Sequence, residues 1–520
     1  MRGLTARERG VGLMPATNWR DGAVPRSWCI IAVLLTAVPL LYPQVPPLTD
    51  LPAHMARFMV QMDGGRSVDV ARWYTFNWNL LPNLGTDLLA LVLEPVLGLS
   101  ATMKAIAILI VMLQSAGFLL LSRAAHGRVM ATALFAVPLA FGHSFNYGFL
   151  NFSLAIALDT LALALWISPW MMARPRLRWV TFCAVASVIW ICHLAGWAVL
   201  CIAVGCCEFA FRFERDRRFL HSAFTGLLAS SCLLVPHALS MLWPHTPEHL
   251  PTDGWFLLAM KFVFIADVLA DRWSTFDTLC ALELIFVIVC MWRSNAFALH
   301  KGLALAAAVL FGIFWLIPVR IYGSFFADMR MLPITFALAL IAARPANPMG
   351  KFGWLSLAAV AFVAVRLASN TASLATWDHQ IQQETAVLDH VPRGSQLVTF
   401  VALPCRDSPF AGPTRNTHIA SYALIRRHAF ANDQFAMSGG QLLSISNPVA
   451  APFDRDLSAI QIGEQCDGTV QVQTSAAKIP SAIPYLWIVW QDTHELPIPG
   501  WTPLARTGAH GHSVLYRRSE

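Results

Sequence analysis

Apolar runs separated by short polar breaks fill the first 370 residues of the chain. The first run, 28–42, follows a polar segment carrying Arg2, Arg7, Arg9, Arg20 and Arg26. A secretory leader shares that order of charge and apolar run, but Pro43, Pro46 and Pro47 stand where a small-residue cleavage site belongs. The run is therefore expected to be an uncleaved first span. Further runs follow at 101–122, 129–145, 150–168, 179–192, 194–211, 220–242, 277–292, 302–318, 331–343 and 352–369. With the first, they predict about eleven crossings, several of them shorter than the roughly 20 residues that a spanning helix prefers. The run 84–99 contains Asp87, Glu94 and Pro95 and is expected to be an interfacial or re-entrant helix instead.

From 371 onward the pattern changes. Long apolar runs vanish, and short ones at 397–402, 486–490 and 513–516 read as strands, with a helix near 376–390. The expected fold class is an α-helical polytopic membrane protein with a small C-terminal α/β soluble domain. Its parts are an N-terminal tail at 1–26, a membrane domain at 27–370 with large loops at 43–100 and 243–276, and the α/β domain at 371–520.

Composition agrees. Apolar residues make up 56% of the 520 residues and charged residues 13%, about half the share of an ordinary soluble domain. A soluble enzyme and a disordered chain are both excluded. The net charge of +7 resides in short clusters between spans, so it reports topology rather than nucleic-acid binding. Alternating the sides collects Arg123 and Arg128; Arg174, Arg176 and Arg178; Arg212, Arg215, Arg217 and Arg218; Arg293 and Lys301; and Arg344 and Lys351 on one side. The positive-inside rule makes that side cytoplasmic. The two large loops and the C-terminal domain then face outward, and the Arg-rich inside loops fit a bacterial inner (plasma) membrane. Of eleven cysteines, nine lie in apolar spans, which leaves Cys405 and Cys466 as a candidate disulfide of the tail.

Polar residues are costly in such a chain, and here they gather at the outer ends of spans. Asp50, His54 and Arg57, spaced four and three apart, share one face of a helix that begins near Pro52, with Asp50 suited to its N-cap. A capped interfacial helix with snorkelling bases explains the same spacing. The segment 141–151 brings His143, Asn146, Tyr147 and Asn151 together, residues that suit hydrogen bonding to a sugar but also an aromatic-belt turn. His193 stands at a tight reversal beside Gly196. The loop 243–276 holds His245, His249, Lys261, Asp267 and Asp271, and Pro247 argues against a regular helix presenting the two histidines to a metal. Arg320, Asp328 and Arg330 are expected to cluster at the outer mouth, either as an anchoring salt bridge or as a phosphate-binding pair, since Arg binds phosphate bidentately.

This organisation resembles the GT-C superfamily of membrane glycosyltransferases, including its polyprenyl- or dolichyl-phosphate-sugar-dependent, mannosyltransferase-like branches. Asp50 is similar to the acidic position that follows the first span in that family. Arg330, Met331, Leu332 and Pro333 resemble the opening of its last-but-one span, and the basic turn 122–128 its Arg-rich turn after the second span. Two positions depart from the pattern: Leu51 follows Asp50, and Asn146 and Asn151 stand where a second acidic residue is common.

The resemblance implies a hexosyltransferase that moves a sugar from a polyprenyl-phosphate donor to a glycan, lipid or protein acceptor. Asp50 would be the catalytic base. His54, Arg57, Asn146, Tyr147, Asn151 and His193 would bind substrate, and Arg320, Arg330 and Lys261 would hold the lipid phosphate. No metal ligand set is assigned; a divalent ion (Mg or Mn) is the one cofactor candidate, with Asp50 as its carboxylate. The competing classes are a lipid or small-molecule transporter, which needs polar groups near mid-membrane such as Asp159 and Glu283, and a non-catalytic envelope assembly protein.

Overall fold

The computed structural model describes residues 22–242, 250–347, 352–403, 414–436, 441–454, 458–461, 468–491, 495–507 and 512–519. Among them, six helical stretches are long and apolar enough to cross a membrane: Leu99–His126, Pro175–Cys192, Leu194–Asp216, Phe219–Ser240, Ser274–Arg293 and Gly353–His390. Four shorter apolar stretches accompany them: Arg26–Leu41, Leu150–Trp166, Lys301–Leu316 and Met329–Ala342. The chain is an integral, multi-pass membrane protein with a helical membrane half and a C-terminal sheet domain.

One expected span is corrected. The segment 129–145 is not a regular helix but two 3₁₀ turns, Ala131–Ala133 and Val137–Phe141, followed by the single turn His143–Asn146. Pro138 removes one backbone donor and favours the break. Every residue from Met130 to Gly148 is buried, walled in by the helices Leu99–His126, Leu332–Ala342 and Gly353–Thr385. Irregular backbone at membrane depth is tolerated in just this situation, where protein rather than lipid surrounds it.

The bundle has two chemically distinct ends. At one, Met130 pairs with Ala23, the His126 ring lies 2.7 Å from the Ile341 carbonyl, and strands β2 (Phe297–Leu299) and β3 (Ala343–Pro345) pair antiparallel. Glu208 takes both Arg178, at 3.0 Å, and Arg212, at 2.8 Å, and Lys301 pairs with Glu214. The arginine clusters picked out in the sequence thus share this end. The other end collects the turns 49–51, 82–85, 142–150, 191–194 and 268–271, stitched by backbone bonds such as Leu84 N–H to the Ile191 carbonyl at 2.8 Å. The helix Gly85–Leu97 belongs here. Gly98, at a φ of 74°, separates it from the long helix that follows, and it buries Asp87 while exposing Val92 and Val96.

The helix Gly353–Thr385 continues without a break past residue 371, so the helix expected at 376–390 is its extension, ending in a 3₁₀ turn over Ala386–His390. Beyond it, β4 (Leu397–Ala402), β6 (Ile460–Gln461), β7 (Tyr485–Trp490), β8 (Trp501–Arg506) and β9 (Ser513–Arg518) form a mixed sheet in the order β6-β4-β7-β9-β8. β4 runs parallel to β6 and β7; β9 is antiparallel to β7 and β8. Apolar residues cover both faces of β4 and β7, as continuous apolar runs predict for buried strands. The domain is tied to the membrane half. Strand β5 (Leu443–Ile445) pairs with β1 (Tyr74–Phe76) of the first loop, and Phe430 packs on Tyr74.

Candidate functional site

The site begins at the helix Leu51–Asp63. Pro52 lies in its first turn and Gly64, left-handed at φ 58°, ends it. Asp50 occupies the N-cap position, yet its side chain makes no capping bond. Its backbone N–H donates instead to the Tyr147 carbonyl at 2.9 Å, and its carboxylate, 15% exposed, lies 3.5 Å from the His418 ring. Gly148, at φ 85°, permits this approach, because a Cβ there would meet the Asp50 nitrogen at 2.9 Å.

The buried segment 141–151 is the hub. His143 reaches the Met329 carbonyl at 3.1 Å, and the Ser144 hydroxyl donates to the Arg330 carbonyl at 3.2 Å. The Asn146 amide donates to the Phe141 carbonyl at 3.0 Å and the Ala270 carbonyl at 2.9 Å. These bonds seat the turn 325–331 beside Asp50, although about 280 residues separate them. Arg330 lies 3.7 Å above the Phe149 ring and donates to the Phe325 carbonyl at 2.8 Å, while its buried Nε has no partner. Asp50 is its electrostatic neighbour. Arg330 also acts on His193, which burial and then that guanidinium push down to about 3.

The C-terminal domain closes one side. Arg415 pairs with Asp271 at 2.7 Å and donates to the Asn146 carbonyl, both groups fully buried. His418 lies 3.5 Å from Asp50, and the Phe435 ring packs between His418 and His54 with centroids 4.6 and 5.4 Å away. Burial pushes His418 down to about 4; burial, then Arg57 and His418, holds His54 well below its ordinary value. Both imidazoles are therefore neutral near pH 7. Tyr147 stacks on Phe149 and leans on Phe326, and burial followed by Asp267 and Asp50 raises its phenol. Asp267 is itself raised to about 6 by burial and then by Asp277.

The sequence candidates separate into two groups. Asp50, His54, Tyr147, His193 and Arg330 converge. The others are committed elsewhere. Arg57 spends its guanidinium on Asp87 at 2.9 Å and Gln441 at 2.7 Å. Asn146 is held as above, and Asn151 accepts from Thr86 and donates to the Asn83 carbonyl. The expected cluster of Arg320, Asp328 and Arg330 is corrected: Asp328 takes Lys261 at 2.7 Å, and Arg320 takes Asp253. Lys261 also donates to the Phe314 carbonyl at 2.7 Å and the Ile317 carbonyl at 3.0 Å, so its three hydrogens are occupied. Arg320 stays near Arg330 through Phe325, whose ring it covers at 4.8 Å. Nor do His54 and Arg57 snorkel at an interface; both are buried beneath the C-terminal domain. Cys405 and Cys466, and His245 and His249, lie outside the described residues.

Phe149 and His418 are the members that the sequence did not single out, and Asp267 was named in its loop without a role. Phe149 lay within a segment already marked as polar; His418 carried no signal at all. Among the described residues, no group of three or more His, Cys, Asp or Glu side chains is arranged to hold a metal ion.

No family model and no curated protein matches the sequence. Among solved structures, the chain is similar to ArnT from Cupriavidus metallidurans bound to undecaprenyl phosphate, with TM-score 0.45 and 12% identity over 95% of this chain and 98% of that one. It is similar to the apo state of ArnT at TM-score 0.45 and 14% identity, over 94% and 98%. The arabinofuranosyltransferase AftD from Mycobacteria is similar at TM-score 0.34 and 14% identity, over 96% of this chain and 42% of that one.

Proposed function

We propose that this chain is a membrane glycosyltransferase of the GT-C type, moving a hexose from a polyprenyl-phosphate donor to an acceptor hydroxyl at the outer face of a bacterial inner membrane. The observation that carries the reading is that Asp50 is the charged neighbour of the buried Arg330, whose Nε has no hydrogen-bond partner and whose guanidinium has no carboxylate in salt-bridge contact among the described residues. A guanidinium with an unpartnered buried N–H suits an anion brought by a ligand. A carboxylate beside it suits an acceptor proton. The site lies at the end opposite the arginine clusters, which supports an outward-facing site and an outward C-terminal domain by the positive-inside rule.

In the proposed reaction the acceptor oxygen attacks the anomeric carbon, the bond from that carbon to phosphate breaks, and the electron pair leaves on the lipid phosphate. Arg330 stabilises the departing charge, with Arg320 nearby; Asp50 takes the acceptor proton. Tyr147, Phe149 and the neutral His54 and His193 would line the sugar. If a divalent ion is used, Asp50 is the carboxylate positioned for it, and the ion would add charge stabilisation.

The test is reconstitution in proteoliposomes with polyprenyl-phosphate hexoses, reading lipid-phosphate release and glycan formation. Asp50→Asn is expected to lower the rate by about 10²–10⁴-fold with the fold intact. An unchanged rate would remove Asp50 from the reaction.

A further inference from the structure

His418 reaches the Asp50 carboxylate from a different domain, and its chemistry there is restricted. Its Nδ1 is 2.8 Å from the Asp433 carbonyl. A carbonyl only accepts, so Nδ1 carries hydrogen in every protonation state, and Nε2 is the atom that gains or loses one. Nε2 faces Asp50 Oδ1 at 3.5 Å, with the two side chains 3% and 15% exposed. The surrounding segment is rigidly held: the Asp433 carboxylate accepts from the Ser421 N–H at 2.8 Å, the Ser421 hydroxyl at 2.9 Å and the Gln434 amide at 2.9 Å. Phe435 covers the ring. The titratable and charged groups around His418 are Asp50 and His54 at the head of one helix, Asp433, spent on Ser421 and Gln434, and Arg415, spent on Asp271.

We propose that His418 is a positioning residue that relays the acceptor proton away from Asp50, so that the C-terminal domain completes the catalytic base. This inference rests on the sugar-transfer reading. The acceptor O–H bond breaks as the new bond to the anomeric carbon forms. The proton passes to the Asp50 carboxylate and then to Nε2, which restores the carboxylate and leaves an imidazolium beside it. Burial keeps the resting ring neutral, so Nε2 carries a lone pair free to accept the proton.

Two measurements on the full-length chain test it. In detergent, with ¹⁵N-labelled histidine and His418→Gln for assignment, the His418 titration midpoint is expected to fall by about one pH unit or more in Asp50→Asn, because the adjacent negative charge is lost. An unmoved midpoint overturns the pair. In proteoliposomes with polyprenyl-phosphate hexose, His418→Gln is expected to lower kcat about 10- to 100-fold, to leave the donor KM within about twofold, and to displace the acid limb of the pH–rate profile. Equal losses in kcat and stability with an unmoved acid limb would make His418 merely structural. A coupled midpoint in a wild-type chain that transfers no sugar would overturn the sugar-transfer reading and leave the proton pair standing.

Discussion

Lys261 and Arg330 are two buried cations served by one loop, and they have opposite fates. The Lys261 ammonium is fully buried with one hydrogen each for Asp328, the Phe314 carbonyl and the Ile317 carbonyl. Arg330, two residues beyond Asp328, has one bond to a carbonyl, a π-face beneath it and an orphaned Nε. A buried charge must be satisfied by something. The protein satisfies Lys261 by itself and leaves Arg330 incomplete. The comparison teaches that basic residues near a site are sorted by what is left over after internal partners are counted, which residue type alone does not reveal. By residue type alone, Lys261 could have assisted Arg330 at a phosphate.

The sharpest way to break the comparison is Lys261→Met. It strands Asp328 as an unpaired buried charge, and a loss of about 3–5 kcal/mol is expected in thermal or denaturant unfolding. The double variant Lys261→Met with Asp328→Leu should recover most of it, since removing both partners removes the stranded charge. Arg330→Ala should do the reverse. Folding is expected to survive, while transfer from a polyprenyl-phosphate donor falls by about 2.7–4 kcal/mol of transition-state stabilisation. A stability loss as large as that of Lys261→Met would show that Arg330 is structural after all.

Two smaller effects sharpen the picture. His418 has a folded-state value, about 4, below its ordinary 6.5. The unfolded chain therefore takes up a proton first as the medium is acidified. The contribution of His418 to stability is full above pH 6.5 and is lost as pH falls toward 4, by about 1–3 kcal/mol. His418→Gln should flatten that part of a stability–pH curve. The pair between Arg320 and Asp253, with side chains 28% and 50% exposed, is screened. Arg320→Ala should cost under about 1 kcal/mol of stability, and any larger effect on transfer would bring Arg320 into the phosphate site with Arg330.

The membrane half was legible because lipid imposes a simple code: long apolar runs cross it and arginines stay on one side of it. Strands β4, β7 and β9 were legible because β-rich apolar runs stand out in a polar tail. The segment 129–145 was misread because hydropathy reports burial, not whether the backbone is helical, and Pro138 acts only locally. Asp50 and Arg330 stood out in the sequence because a charged group beside a span is expensive and so conspicuous.

The sequence by itself determined the class of protein, the sorting of its polar ends and the residue types available for chemistry. The tertiary structure decided which of those residues meet: that Asp328 belongs to Lys261, that Arg57 belongs to Asp87, and that His418 comes from another domain to face Asp50. The physical reason is that pairing depends on distances of a few ångströms between groups hundreds of residues apart, and neither hydropathy nor local spacing carries that information.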